Sequence, residues 1–342
     1  MPTLPLRRGV TLGIQHGLRV EQLPALALAA EGLGYTDVWS EEAGGTDAVS
    51  TLTAAAMVTR STAVGTGIIP VFGRAPAVVA MEAACLQLLS GGRFRLGLGA
   101  STATIATAWR GEPYRRPLTR LLEYVDVIRR LLAGEKVTHR GEFDLDGFRL
   151  QLPAPLPAPP PIYLAALGDR TLTAVGEHAD GVILNNLTPG AIARSRALVA
   201  DAAARCGRDP SAIDIIGRVS VLVEEDEERC REVVSRIAGF YLSAEVYRAS
   251  LTRQGFGAEV ERFSARWDKG ERVQALGELS DDLLAAFAVF GDRDTVRAQI
   301  GRLRAAGLDA PIIYPIVLPG ADQSRDDALA KSLDVLAVCG DV

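Results

Sequence analysis

The stretch VGTGIIPVFGRAPAVVAMEAACLQLLSGGRFRLGLGAS, residues 64–101, decides the fold. Two short apolar runs, 63–69 and 93–99, flank a segment over 76–89 that opens on a proline and reads as a helix. A proline in the first helical turn is tolerated because its missing N–H would have no partner there. Strand, helix and strand in so short a span predict a βαβ unit with parallel strands. Gly65 and Gly67 interrupt the first run just before Pro70. Glycine inside a strand marks a bulge, a bend, or a place where something comes close to the backbone.

The same alternation runs outward in both directions. Strand candidates are VTLGI (10–14), DVWS (37–40), AVGTGII (63–69), RFRLGLG (93–99), PIYLAAL (161–167), DGVILNN (180–186), IDIIGRVSVLV (213–223) and PIIYPIV (311–317). Helical periodicity fills 20–34, 47–59, 76–89, 118–132, 169–177, 191–205, a segment beginning near 227, and 294–306. Eight such units predict an α/β chain closed into a (β/α)8 TIM barrel, with an open doubly wound sheet as the alternative. Barrels of this kind use 250 or more residues as one domain, so 1–342 is read as a single domain. Two insertions break the rhythm. Residues 135–161 begin as a small β excursion and end in a proline-rich connector, and 239–277 form an aromatic-bearing helical insertion, a candidate lid, interface or packing element.

Composition narrows the function. With 342 residues, 48% of them hydrophobic, the chain can bury a large core, and a net charge of -5 argues against broad binding to nucleic acid or anionic membrane. The expected partners are a small-molecule substrate and further copies of the chain, as a homodimer. No apolar run reaches the length of a membrane span and no secretory leader opens the chain, which predicts a cytoplasmic protein. Cys85, Cys206, Cys230 and Cys339 form no CxxC pair and read as reduced thiols. There is no GxSxG elbow and no P-loop, and His16, His139 and His178 are too scattered for a local zinc pattern, so no metal site is expected. RFRLGLGAS has the glycines of a dinucleotide fingerprint but not the acidic residue about 20 positions on that the fingerprint requires.

In a barrel, the site is built where the strands end. Here those ends carry Gln15 and His16; Ser40, Glu41 and Glu42; Gly67 and Ile68; Gly99, Ala100 and Ser101; Ala166, Leu167 and Gly168; Asn185 and Asn186; Ser220; and Tyr314. This ring is poor in nucleophiles and rich in small and neutral hydrogen-bonding residues, which suits a large planar cofactor that does the hard chemistry itself. LAALGDR (164–170) runs straight into a helix beside Asn185 and Asn186. Free helix amides and side-chain donors there make either a phosphate site or an ordinary βα turn.

The segments VWSEEAGGTDAVSTLTAAA, residues 64–101, WRGEPYRRPL, PIYLAALGDRTL and GEHADGVILNN together resemble the bacterial-luciferase-like flavin and deazaflavin oxidoreductases. More narrowly, the chain is similar to the actinobacterial members assigned to coenzyme F420 and related to methylenetetrahydromethanopterin reductase. LSGGRFRLGLGAS with the preceding RAPAVVA is the most specific part of the likeness.

The resemblance implies a cofactor ring at the barrel mouth, backed by a bulge with a non-proline cis peptide at Gly67-Ile68. Gly67 would let the backbone come close to the ring. Ser40 and Glu41 would lie beside the ring, and Ser101 and Thr102 near it or its ribityl chain. Ala166, Leu167, Gly168, Asn185 and Asn186 would hold its phosphate. Glu42 is the candidate proton donor, because a partly buried carboxyl can have a raised pKa. Arg115, Arg116 and Arg120 could meet the anionic oligoglutamate tail. Substrate selection is assigned to Gln15, His16, Phe72, Arg74, Trp109 and the insertion over 239–270. The implied activity is hydride transfer between the deazaflavin C5 and a small organic molecule, in the reductive direction. An FMN-dependent monooxygenase of the same superfamily is the alternative, and a catalytically silent barrel acting as a binding partner is the second.

Overall fold

The computed structural model describes residues 6–13, 17–156, 158–318 and 327–340. Eight parallel strands lie in chain order around a ring: β1 (Gly9–Thr11), β2 (Asp37–Ser40), β3 (Ala63–Thr66), β4 (Phe94–Gly99), β5 (Ile162–Ala165), β6 (Gly181–Leu184), β7 (Asp214–Val223) and β8 (Ala310–Pro315). The ring closes because β8 pairs with β1 (Ile312 opposite Gly9), while β7 joins β6 to β8. The fold is the expected (β/α)8 barrel; each strand overlaps the segment read from the sequence, with β1 and β8 each starting one residue earlier than expected.

The helices explain their own ends. Pro76–Leu89 starts on its proline, Ala48–Val58 is capped by Asp47 accepting from the Ser50 amide at 2.7 Å, and Pro189–Arg205 is capped by Thr188. Val20–Gln22 is a 3-10 turn leading into the helix Leu23–Gly32. Inside the ring, Trp39, Tyr163, Ile183, Ile216, Ala310 and Ile312 form a separate buried plug, and Ile68 packs on it. No helix among the described residues is long and apolar enough to cross a membrane. All four cysteines are free thiols.

Both insertions exist as elements of their own. Val137–Arg140 and Asp144–Phe148 pair antiparallel as a hairpin ahead of the proline-rich connector. Between β7 and β8 lie the helices Glu227–Leu242, Glu245–Leu251, Gly257–Trp267 and Arg272–Gly277, which share a core of their own built around Val234, Ala238, Leu242, Leu251 and Phe263. Besides the short helix Asp281–Leu284, two elements were not anticipated. A strand at Ala288–Gly291 pairs with the C-terminal half of β7 outside the ring, and a helix at Asp327–Cys339 covers β8.

Candidate active site

The glycine-rich stretch of β3 forms a bulge. Val64 and Gly65 pair with Phe94 and Arg95, and pairing resumes at Ile69 and Pro70 opposite Leu98 and Gly99. Residues 66–68 therefore face only 96 and 97, one extra residue on the β3 side. Thr66 repairs the broken ladder with its side chain: Oγ1 accepts from the Gly97 amide at 2.8 Å and donates to the Gly97 carbonyl at 2.9 Å. A Cβ on Gly97 would overlap the Thr66 carbonyl oxygen, and one on Gly65 would sit 2.6 Å from the Trp39 ring. Close packing thus requires glycine at 65 and 97. At Gly67 a Cβ would meet Trp39 at an ordinary 3.7 Å, so nothing within the chain demands glycine there. The Gly67-Ile68 peptide is cis, as the family resemblance implies. Backbone bonds from Gly67 N to Ser40 O (2.8 Å) and from Glu42 N to Ile68 O (3.2 Å) tie the bulge to the end of β2. Ser40 is fully buried there, its Oγ donating to the Leu12 carbonyl at 3.4 Å.

The two carboxylates after β2 have different surroundings. Glu42 lies between two guanidiniums: Oε1 is 3.1 Å from Arg110, and Oε2 is 3.0 Å from Arg74 without hydrogen-bond alignment. Arg74 also pairs with Asp47 and with Glu82, the latter at 2.6 Å. Burial lowers the Arg74 pKa, but Glu42, Glu82 and Asp47 outweigh it and hold the group above its ordinary value. Phe72 is buried, stacked obliquely on Tyr114 at 5.0 Å with the Arg120 guanidinium 4.7 Å over its ring. Arg120 is engaged with the Val71 carbonyl (2.8 Å) and Glu112 (2.7 Å), whereas Arg115 and Arg116 are exposed. Trp109, on the π-helical turn Ile105–Trp109, is 58% exposed and lies over Gly44. Gln15 and His16 lie outside the described residues.

Glu41 meets a group that sequence reading did not single out. Its Oε2 is 3.5 Å from Nε of Arg218, whose side chain is 13% exposed. The Arg218 guanidinium is 3.6 Å from the Tyr314 ring centroid and donates to the Tyr241 hydroxyl at 2.9 Å. Tyr241 packs on Tyr247 at 4.8 Å, and Tyr247 hydrogen-bonds Asn185. Burial lowers the Arg218 pKa, yet the facing Tyr241, Glu41 and Tyr314 raise it above the usual arginine value. Burial likewise pushes the Tyr314 and Tyr247 phenols upward. The helical insertion thus reaches the mouth through Tyr241 and Tyr247. An arginine in a strand interior and a pair of tyrosines six residues apart were the available signals.

The remaining expected residues gather at two neighbouring corners. At the end of β4, Ser101 has a left-handed φ of 60° and its carbonyl accepts from Tyr114 (3.2 Å), while Thr102 Oγ1 accepts from the Ile105 amide at 3.3 Å. At the ends of β5 and β6, Ala166 N donates to the Ile183 carbonyl (3.3 Å), which puts Ala166, Leu167 and Gly168 beside Asn185 and Asn186. Gly168 is the N-cap of helix Asp169–His178 and supplies no side-chain cap. Asn185 Oδ1 accepts from the Asn186 amide at 3.0 Å. Asn186 is 3% exposed, and its Nδ2 has no hydrogen-bond partner. No group of three or more metal-ligating side chains occurs among the described residues.

A closed parallel barrel with a bulged β3 and small residues at the strand ends places the chain among the (β/α)8 barrels, whose sites lie at that end. Among them, the chain belongs to the luciferase-like monooxygenase family, whose model matches residues 6–310. A Mycobacterium tuberculosis protein with the provisional name coenzyme F420-dependent oxidoreductase is 28% identical, over 94% of this chain and 99% of that one. The 5,10-methylenetetrahydromethanopterin reductase of Methanolobus tindarius is 30% identical, over 87% of this chain and 92% of its own. The structure of the F420-dependent tetrahydromethanopterin reductase of Methanopyrus kandleri superposes with a TM-score of 0.78 at 23% identity, covering 97% of this chain and 98% of that one.

Proposed function

We propose that this protein is a coenzyme F420-dependent oxidoreductase acting on a small organic substrate, in the reductive direction. When bound, the deazaflavin supplies a hydride at C5, and the chain supplies binding, face selection and proton handling. The observation that carries this reading is the pairing of the Gly67-Ile68 bulge, pinned to β2 by two backbone bonds, with the donor-rich corner at Gly168 and Asn186. The helix amides after Gly168 and the orphaned Asn186 Nδ2 fit an anionic phosphate ester, with Ala166, Leu167 and Asn185 shaping its seat. Gly67 and Ile68 form a back wall for a planar ring, with Ser40 buried behind it and Ser101 and Thr102 on the β4 side. Glu42 was the expected proton donor, but two guanidiniums occupy it, which favours a role as a charged strut. Among the described residues Glu41 has one loosely aligned partner, and it takes the proton-handling role in this reading. Exposed Trp109 takes the substrate-facing role, buried Phe72 and the ion-paired Arg74 support the site from within, and Gln15 and His16 stay assigned to substrate from the sequence alone.

Titrating the purified protein separately with oxidised and reduced F420 and with FMN, followed by fluorescence, tests the reading. Saturable F420 binding is expected. Binding of FMN alone would replace the proposal with the flavin monooxygenase reading that the family description also covers, and binding of neither would favour a silent barrel. The protein further assembles as a homodimer through helices Leu23–Gly32, Ala48–Val58 and Pro76–Leu89, which expose Leu28, Met57, Val78, Met81 and Leu88 on neighbouring elements. Light scattering should give twice the chain mass, and Met81→Glu should shift it toward the monomer.

A further inference from the structure

We infer that Arg253 and Gln254, in the helical insertion, are the cationic clasp that closes the anion corner over a phosphate ester, so the insertion serves cofactor retention. This rests on the cofactor reading above and deepens it. The insertion contacts the corner through the π-helical turn Thr252–Phe256, where Gly255 adopts φ 102° and lets the chain double back. Arg253 donates from Nη2 to the Leu167 carbonyl at 2.9 Å. The same nitrogen lies 3.7 Å from where a Gly168 Cβ would be, which puts the guanidinium over the N-cap of helix Asp169–His178. Gln254 spans the second strand end: its Nε2 donates to the Asn186 carbonyl at 3.3 Å, and its Oε1 accepts from Thr188 at 2.9 Å.

The charge at this corner is unbalanced. Among the described residues no carboxylate lies within ion-pairing distance of Arg253, and the neighbouring Asp169 is taken by Arg194 at 2.6 Å. One carbonyl bond leaves most of a five-donor guanidinium uncommitted. Beside it are the start of helix Asp169–His178, which has no side-chain cap, and the buried Nδ2 of Asn186, which has no partner. Three kinds of donor, without an acceptor to match, converge where β5 and β6 end. A phosphate ester supplies the missing acceptors and charge, and guanidinium bonds to phosphate are among the stronger ones proteins make. A Cβ on Gly168 would meet Arg253 at ordinary contact distance, so the arginine follows the loop closely without crowding it.

The test compares wild type, Arg253→Lys and Arg253→Ala as full-length proteins. F420 and FMN affinities would be read by fluorescence at low and high salt, and inorganic phosphate would be assayed by thermal shift against chloride at equal ionic strength. Arg253→Ala should weaken binding of the phosphate-bearing cofactor by roughly tenfold or more and flatten its salt dependence, and the lysine should recover part of the loss. The exposed position of Arg253 predicts an unchanged circular dichroism spectrum and melting temperature. Alanine binding as wild type, with the same salt dependence, overturns the clasp and leaves the function standing. Phosphate stabilising wild type but not the alanine variant, with no cofactor bound, keeps the clasp and removes the cofactor reading. Wild type binding none of the three removes both.

Discussion

At the floor of the barrel, Asp37 on β2 pairs with Arg95 on β4 and lies 3.6 Å from Arg7, while Asp214 on β7 pairs with Arg7 at 2.7 Å and accepts from the Tyr163 hydroxyl. At the mouth, Glu41 lies 3.5 Å from Arg218, and that is its one ion pair among the described residues. Both ends bury guanidiniums, but the floor sets two carboxylates against two arginines, Arg95 on β4 and Arg7 just ahead of β1. Unpartnered donors occur at both ends, Nε and Nη2 of Arg7 at the floor and Nε of Arg218 and Nδ2 of Asn186 at the mouth, but only the mouth also leaves a carboxylate oxygen, Oε2 of Glu42, without a hydrogen bond. The floor also uses a phenol: burial pushes Tyr163 up to about 12, so at neutral pH it remains a donor to Asp214. A buried polar group without a partner costs free energy, and such groups persist where something else repays them. The floor engages both of its carboxylates with guanidiniums and a phenol, whereas the mouth leaves Glu42 Oε2 and the Asn186 amide unmatched where a ligand can reach them.

The largest expected effect is at the floor. Asp37→Asn removes a fully buried carboxylate that faces Arg95 and Arg7, both partly exposed, so the loss should approach but not exceed the roughly 3–5 kcal/mol of breaking a buried pair. Glu41→Gln at the mouth, where the pair is a loose 3.5 Å contact and the amide keeps an acceptor for Arg218, should cost less, about 1–2 kcal/mol. Urea unfolding of both variants measures the contrast directly. Equal losses at the two positions would remove the distinction between a closed floor and an open mouth. Activity should divide the other way once a substrate is in hand, with Glu41→Gln impaired and the folded fraction of Asp37→Asn near normal.

The bulge lies between these extremes. Thr66→Val keeps the volume but deletes the hydroxyl that serves both polar groups of Gly97, leaving a buried amide and a carbonyl unmet. A loss of about 1–3 kcal/mol is expected by chemical denaturation, together with weaker cofactor binding because Ile68 loses its support. A loss of stability with unchanged binding would mean that the backbone bonds to Ser40 and Glu42 hold the bulge unaided.

Why some of this was legible in sequence and some was not follows from the range of each signal. The eight strands read correctly because each is a local run of apolar residues bounded by a helix with its own period, and Gly65 and Gly67 announced the bulge locally. The reason for the glycines was not local: Gly65 yields to Trp39 on β2, and the strictest requirement belongs to Gly97 on the partner strand. Arg218 was hidden because an arginine within a strand ordinarily faces water, and its burial makes sense only once Glu41, Tyr241 and Tyr314 arrive from three distant segments. Glu42 and Glu41 are adjacent in sequence and chemically identical, and only the placement of Arg74 and Arg110 tells them apart. Ala288–Gly291 was missed because four apolar residues after a helical stretch have no periodicity to distinguish them from a helix end.

The smallest effect concerns Glu31, at the floor side of the barrel, whose carboxylate gathers the loop leading into β3. It accepts from the amides of Arg60, Ser61 and Thr62 at 2.7 to 3.1 Å and from the Ser61 and Thr62 hydroxyls. Burial raises its pKa, but these donors more than offset that and hold it at about 2, below the usual 4.5. A carboxylate whose folded pKa is depressed binds its proton more readily in the unfolded chain. Its stabilisation is therefore complete above about pH 4.5 and is lost as pH falls toward 2. Glu31→Gln should lower stability modestly at neutral pH, and the difference from wild type should shrink across that acid window. Denaturation curves taken at pH 6, 4 and 3 read this out. A difference that stayed constant, or widened, on acidification would show that the glutamate acts through its shape and hydrogen-bonding reach, and that its charge contributes nothing to holding the loop.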